Sequence, residues 1–280
     1  MLKKLSAISV LLVFTGFVVL SCKPTPTVTD NGDEEGERQP YKATGNEGTI
    51  TGTIKFDGPV PTPKKIDMVA DPNCLTVGGD RTTDDVVVTD GKLANVFVYV
   101  TSNKLNGYSF PPPSDPVVLD QHGCRYQPRV LGIQAQQTLK VTNSDPTTHN
   151  VHPTPAKNAE WNQSQTPNQA PIEKKFRNPE TLIPVKCNQH PWMKAHVGVL
   201  AHPYFSVSAK DGTFAIKDVP PGDYTIVAWH ERGGDKGTEK TQKITVGPKE
   251  TKTQDFTFGG QELAYSPPTH LKIAPALILP

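Results

Sequence analysis

Cys187-Asn188-Gln189-His190-Pro191-Trp192-Met193 puts a thiol, an imidazole and a thioether at intervals of three residues on one short stretch. These donors form the soft set that selects copper over harder cations, with a thioether as weak axial ligand. A second imidazole completes the set. Thr147-Thr148-His149-Asn150-Val151-His152 supplies it, with His149 standing 38 residues before Cys187. The competing reading is packing: an inert buried thiol or a disulfide half at 187, and core filler at Met193. Regular spacing favours the metal. Zinc takes Cys and His in closed tetrahedral sites, but a thioether suits it poorly.

If 149–152 is extended, its side chains alternate between faces, so only one of His149 and His152 reaches a metal easily. His149-Asn150 on an early strand, with Cys187-x-x-His190-x-x-Met193 between the last two strands, resembles the blue-copper proteins, or cupredoxins. The short gap between His190 and Met193 is most similar to amicyanin. The resemblance covers residues 115–200. It implies one type 1 copper, with His149, Cys187 and His190 as strong ligands and Met193 as the long axial one. Asn150 would link the two ligand loops by hydrogen bonds. Electrons would pass through an exposed edge of His190, beside an apolar docking surface made by Pro191 and Trp192. His152 then lies next to the metal or at the surface, and His196 and His202 carry no assigned role.

The chain begins with Lys3 and Lys4 and an uncharged apolar run from Leu5 to Leu20, the pattern of an export signal. Val19-Leu20-Ser21-Cys22 resembles a bacterial lipobox, in which Cys22 becomes the lipidated first residue of the mature protein. The alternative, an uncleaved membrane anchor, needs about 20 apolar residues. Either way the globular part is expected outside the cytoplasm, held in the bacterial cell envelope by its anchor. Residues 1–21 are the expected signal peptide and 22–47 a disordered tether, too polar to offset the entropy of ordering. With Cys22 lipidated and Cys187 a ligand, Cys74 and Cys124 remain as a natural disulfide pair, which an oxidising compartment permits. Free buried thiols are the alternative. The chain carries 29 basic and 28 acidic residues, and this balance points to no nucleic-acid partner.

Period-two alternation starts at Thr49, with Ile50, Ile54 and Phe56 on one side, and marks a half-buried strand. Further strands are expected at 86–88, 95–100, near Val117, at 130–133, at Leu139 and Val141, and on either side of the Cys187 loop. Residues 153–179 are polar, hold five Pro and read as a long surface loop. Phe205 to Lys217 reads as a hairpin about Asp211-Gly212. Asp211-Gly-Thr-Phe-Ala-Ile-Lys-Asp-Val-Pro-Pro-Gly-Asp-Tyr-Thr-Ile226 resembles the carboxypeptidase-regulatory-like, transthyretin-like β-sandwich. Residues 48–114 and 201–258 would then form one such sandwich, with 115–200 a cupredoxin domain inserted in or packed on it and 259–280 a tail. The expected fold class is all-β: a cupredoxin-like Greek-key sandwich plus a second sandwich. With 28 Pro and 22 Gly and scarce helical periodicity, composition agrees.

These features imply a lipid-anchored carrier of single electrons, not an enzyme, serving a redox partner such as a c-type cytochrome or a dehydrogenase. Copper storage or delivery is one alternative. The other is an adhesion or carbohydrate-binding sandwich with a structural metal. A multicopper oxidase needs further clustered histidines, which the eight here do not supply in a recognisable set.

Overall fold

The computed structural model describes residues 38–234 and 236–264. The expected signal peptide, Cys22 and most of the C-terminal tail lie outside the described residues. Among the described residues regular structure is almost entirely β, with two short helices, Pro72–Val77 and Asn103–Asn106. Among the described residues no helix is long and apolar enough to cross a membrane.

Strand Gly48–Asp57 alternates buried and accessible positions along its length, as its period-two sequence requires. It centres a sheet with Thr213–Val219, Lys92–Leu93 and Val88–Thr89, and also pairs in parallel with Thr251–Thr253 and Phe256–Gly259. Facing it is a sheet in the order Phe205–Val207, Phe97–Thr101, Gly222–His230, Thr238–Val246. Ile50, Ile54, Val98, Ile226 and Phe258 fill the space between them. Strands from both ends of the described chain therefore build one sandwich.

The middle of the chain builds the other. One sheet runs Gln163–Gln165, His149–Pro153, Glu180–Lys186, Lys194–Leu200, Val130–Gln134, and its partner runs Ile172–Lys175, Thr138–Asn143, Val117–Gln121, Tyr126–Gln127. The chain alternates between these two sheets, so Val117–Gln121 pairs in parallel with Thr138–Asn143, and Val130–Gln134 with Lys194–Leu200. Leu119, Ile133, Val141, Ile183 and Val197 pack between them. A third cluster, with Phe97, Tyr99, Val130, Leu200 and Trp229, joins the two sandwiches back to back.

Four local expectations are corrected. Residues 153–179 are not one loop, because Gln163–Gln165 and Ile172–Lys175 each join a sheet edge. The turn at Asp211-Gly212 forms, but its flanking strands enter facing sheets and do not make a hairpin. The expected tether at 22–47 does not hold for its described part: Gln39–Pro40 pairs with Tyr108–Ser109, and the Tyr41 ring packs on Tyr108 and Phe110. Finally, 48–114 does not belong wholly to the terminal sandwich. Ile66, Met68, Cys74 and Val77 leave it and pack into the core of the middle one, where apolar side chains find deeper burial.

Candidate metal centre

Two strand pairs deliver the donors. His149 and Asn150 open strand His149–Pro153, while residues 187–193 form the loop between Glu180–Lys186 and Lys194–Leu200. Those flanking strands are paired from Lys186↔Lys194 onward, which closes the loop tightly. Cys187 N donates to Met193 O (3.3 Å) and Met193 N to His190 O (2.9 Å), so the loop folds back on itself. The candidate ligand atoms of His149, Cys187 and His190 all lie within 4.8 Å of one another. Nδ1 of His149 is 2.9 Å from Nδ1 of His190, which lies 3.7 Å from Cys187 Sγ. Met193 is fully buried in the same core cluster as Cys187.

Asn150 lies between the two donor-bearing segments. Its Oδ1 accepts from Asn188 N at 2.7 Å and lies 3.3 Å from Cys187 Sγ, joining the two ligand segments. Tyr126 OH donates to the Asn150 carbonyl at 2.5 Å. Cys74 and Cys124 form a disulfide, as expected. His152 faces away from the donors, between Asn188 Oδ1 and Glu160. His196 sits against the Trp229 ring where the sandwiches meet, and His202 stacks on Tyr204.

Two functional candidates escaped sequence reasoning. Asp145 Oδ2 lies 2.9 Å from His149 Nε2, and Asp71 Oδ2 lies 3.0 Å from His190 Nε2. Each carboxylate favours the tautomer with its proton on Nε2, which turns the lone pair of Nδ1 toward the thiol. Both are Asp-Pro pairs, and Asp71-Pro72 is a readable helix start. Nothing local at Asp71 pointed to an imidazole 119 residues away, and Asp145, although only four residues before His149, forms no motif with it in the sequence.

The exposed His190 edge expected from the resemblance is corrected. His190 is only 4% exposed. Asp71 and Cys74 cover its Nε2 side, and the Trp192 ring lies 5.1 Å away with Nε1 donating to Cys124 O. The reason is the departure of residues 66–77 from the terminal sandwich, which lays a helix over that face. Pro191 is exposed and Trp192 half-buried.

Electrostatics prepare the donors for a cation. Burial pushes the Cys187 thiol up, but hydrogen bonds from His149 and His190 and from the Asn150 backbone outweigh it and bring it down to about 6. A metal needs this thiolate form. Burial disfavours a charged His149, yet Asp145 and the Cys187 thiolate hold the imidazole above its usual value. Asp145 in turn sits low: hydrogen bonds from His149 and from the Cys124 and Gly123 amides overcome its burial. Nδ1 of His149 and Nδ1 of His190 face each other at 2.9 Å, a spacing that a proton on one ring bridges and that a shared cation would equally occupy. Thiolate, two imidazoles and a buried thioether fit copper better than zinc or a hard ion.

The family described as polysaccharide lyase family 4, domain II, matches residues 194–254. It differs from the carboxypeptidase-regulatory-like family that the sequence resembles. No curated protein matches the chain. Among solved structures, a reduced amicyanin mutant is 20% identical, covering 36% of this chain and 98% of that one, at a TM-score of 0.28. The purple cupredoxin of Nitrosopumilus maritimus is 25% identical over 27% of this chain and 81% of that one, at a TM-score of 0.24. The copper-containing nitrite reductase of Thermus scotoductus is 18% identical over 32% of this chain, at a TM-score of 0.28, and the chain spans only 25% of that enzyme's length. Likenesses this distant carry no functional weight beside the donor geometry.

Proposed function

We propose that the protein is a type 1 copper electron carrier, anchored by lipid at Cys22 on the exported side of a bacterial membrane and serving a redox protein partner such as a c-type cytochrome or a dehydrogenase. The observation that carries this reading is the inward convergence of the donors of His149, Cys187 and His190 within 4.8 Å, with the outer nitrogen of each imidazole already held by a carboxylate. Met193, buried in the same cluster, would add its thioether to the set. Bound copper supplies a one-electron Cu(II)/Cu(I) couple.

The protein's part is to hold that couple still. The ligand loop is pinned by its own backbone bonds, Asn150 ties it to the His149 strand, and the two carboxylates orient the rings. These contacts would limit how far the donors could move between the two oxidation states of a bound copper. Burial weighs against the delivery reading. His149, Cys187, His190 and Met193 are 0%, 2%, 4% and 0% exposed, so an acceptor protein has no ligand to grasp, whereas an electron needs no open path.

The test is a visible absorption spectrum of the purified protein titrated with Cu(II) and then with a reductant. An intense thiolate-to-copper band that bleaches on reduction and returns on oxidation is the expected result. Copper bound without that band sinks the electron-carrier reading.

A further inference from the structure

The least expected feature of the centre is what lies outside the donors. The Asp71 carboxylate is fully committed: Oδ1 accepts from Asn73 N (2.9 Å) and Cys74 N (3.4 Å), capping helix Pro72–Val77, while Oδ2 accepts from Thr147 Oγ1 (2.7 Å) and meets His190 Nε2 (3.0 Å). Its Oδ2 therefore has a fixed position over the ring. Three residues on, Cys74 lies with Sγ 3.8 Å from the same nitrogen and is bonded to Cys124. The Cys124 amide donates to Asp145 Oδ2 at 2.8 Å, and Asp145 holds His149. One disulfide thus locks together the two carboxylates that orient the two imidazoles. Met68 and Cys74, fully buried in the core of the middle sandwich, keep the segment seated.

We propose that Asp71 is a positioning residue of the metal centre, and that the helix it caps, tethered by Cys74–Cys124, is a fixed cover that slows escape of the metal past His190. This rests on reading the centre as a copper site. The carboxylate keeps the His190 proton on Nε2 and the Nδ1 lone pair turned inward; the helix denies solvent and competing chelators the ring edge. Outer partners of ligating imidazoles tune affinity in this way, and removing one typically weakens binding about 10- to 100-fold.

Asp71→Asn is the informative change. Asn is as good an N-cap as Asp, so the helix keeps its start, but the anionic acceptor facing His190 is gone. Asp71→Ser is the second variant, with a capping hydroxyl too short to reach the ring. Two readouts apply. Heteronuclear NMR of the ring nitrogens of His190 in the metal-free protein should report a proton held on Nε2 in the wild type and a mixture of tautomers in both variants. Transfer of Cu(I) from the loaded protein to a colorimetric Cu(I) chelator should be about 10- to 100-fold faster in both variants, with melting temperatures near that of the wild type. An unchanged tautomer in both overturns the positioning role whatever the transfer rate does. An unchanged transfer rate overturns the claim that Asp71 slows escape of the metal past His190, and transfer no faster than wild type from a Cys74→Ala, Cys124→Ala double variant, whose helix has lost its tether, overturns the cover. Should the wild type bind no copper, the proposed function fails, while the NMR comparison still decides whether Asp71 sets the His190 tautomer.

Discussion

At the scale of single residues, Cys187 separates a metal centre from a packing site. Its thiol is buried and unpaired by disulfide, and its hydrogen-bond partners belong to the centre itself. Cys187→Ser is nearly isosteric, so the fold should survive with a stability change under about 2 kcal/mol while the thiolate-to-copper band vanishes. Circular dichroism melting beside the copper titration checks both; unfolding instead would mean that Cys187 is structural. Two other imidazoles control acid stability. Burial pushes His202 and His230 down to about 4, against an ordinary value of 6.5. Between those values the unfolded chain takes up protons that the folded chain refuses. Their stabilisation is therefore complete above 6.5 and drains away as pH falls toward 4, by up to about 3 kcal/mol for each. His149 has the opposite sign in the metal-free protein, so the clean comparison is His230→Asn against wild type. Melting temperatures measured from about pH 7.5 down to about pH 4.5 should fall less steeply in the variant.

At the scale of elements, two glycines decide how the sandwiches meet. Gly132 and Gly198 are directly opposite on paired strands. A Cβ at Gly198 would meet the Phe97 ring at 2.4 Å, and one at Gly132 would meet Phe205 at 2.3 Å and Phe97 at 2.8 Å. The pair leaves a notch into which Phe97 from the other sandwich inserts. Strand propensity alone says Gly198→Val should stabilise, since a β-branched residue suits a strand and Gly weakens it. The packing says the reverse: overfilling the notch should destabilise by about 1–3 kcal/mol, with Phe97→Leu in the same chain recovering part of the loss. Urea unfolding of the single and double variants distinguishes the two.

For the whole molecule, the joint also carries a buried ion network. Arg129, just before strand Val130–Gln134, makes a two-pronged pair with Glu231 at the end of strand Gly222–His230 and donates to Asp84 in the segment leading from the cover. Its side chain is 10% exposed and that of Glu231 8%. Three parts of the chain thus converge on one guanidinium. Removing one partner of a buried pair costs about 3–5 kcal/mol because it strands the other charge, whereas replacing both with apolar residues of similar volume is often neutral. Glu231→Ala should therefore lower stability by an amount in that range, and Arg129→Met with Glu231→Leu should restore most of it. If the double variant is as unstable as the single one, the network contributes more than it takes in desolvation.

The sequence by itself determined what is short-ranged. The alternation of strands such as Gly48–Asp57 follows from backbone period, and the regular spacing of Cys187, His190 and Met193 is legible without coordinates, whereas the choice of His149 as the further candidate donor and the Asn150 link came from the resemblance to cupredoxins. The Cys74–Cys124 pairing was legible only once the other two cysteines had been given tasks. What tertiary structure alone decided is everything that closes the centre. Cys74 and His190 are 116 residues apart, and Asp71 and His190 are 119 apart. Contacts at that separation are chosen by which apolar side chains find the deepest burial, and here Ile66, Met68 and Val77 found it in the other sandwich. The same long-range choice drew Gln163–Gln165 and Ile172–Lys175, weakly patterned alone, onto open sheet edges where their backbone groups find partners. It also sent the strands about Asp211-Gly212 into facing sheets. A turn sets only the reversal of the chain. Which strand lies alongside is settled by the core.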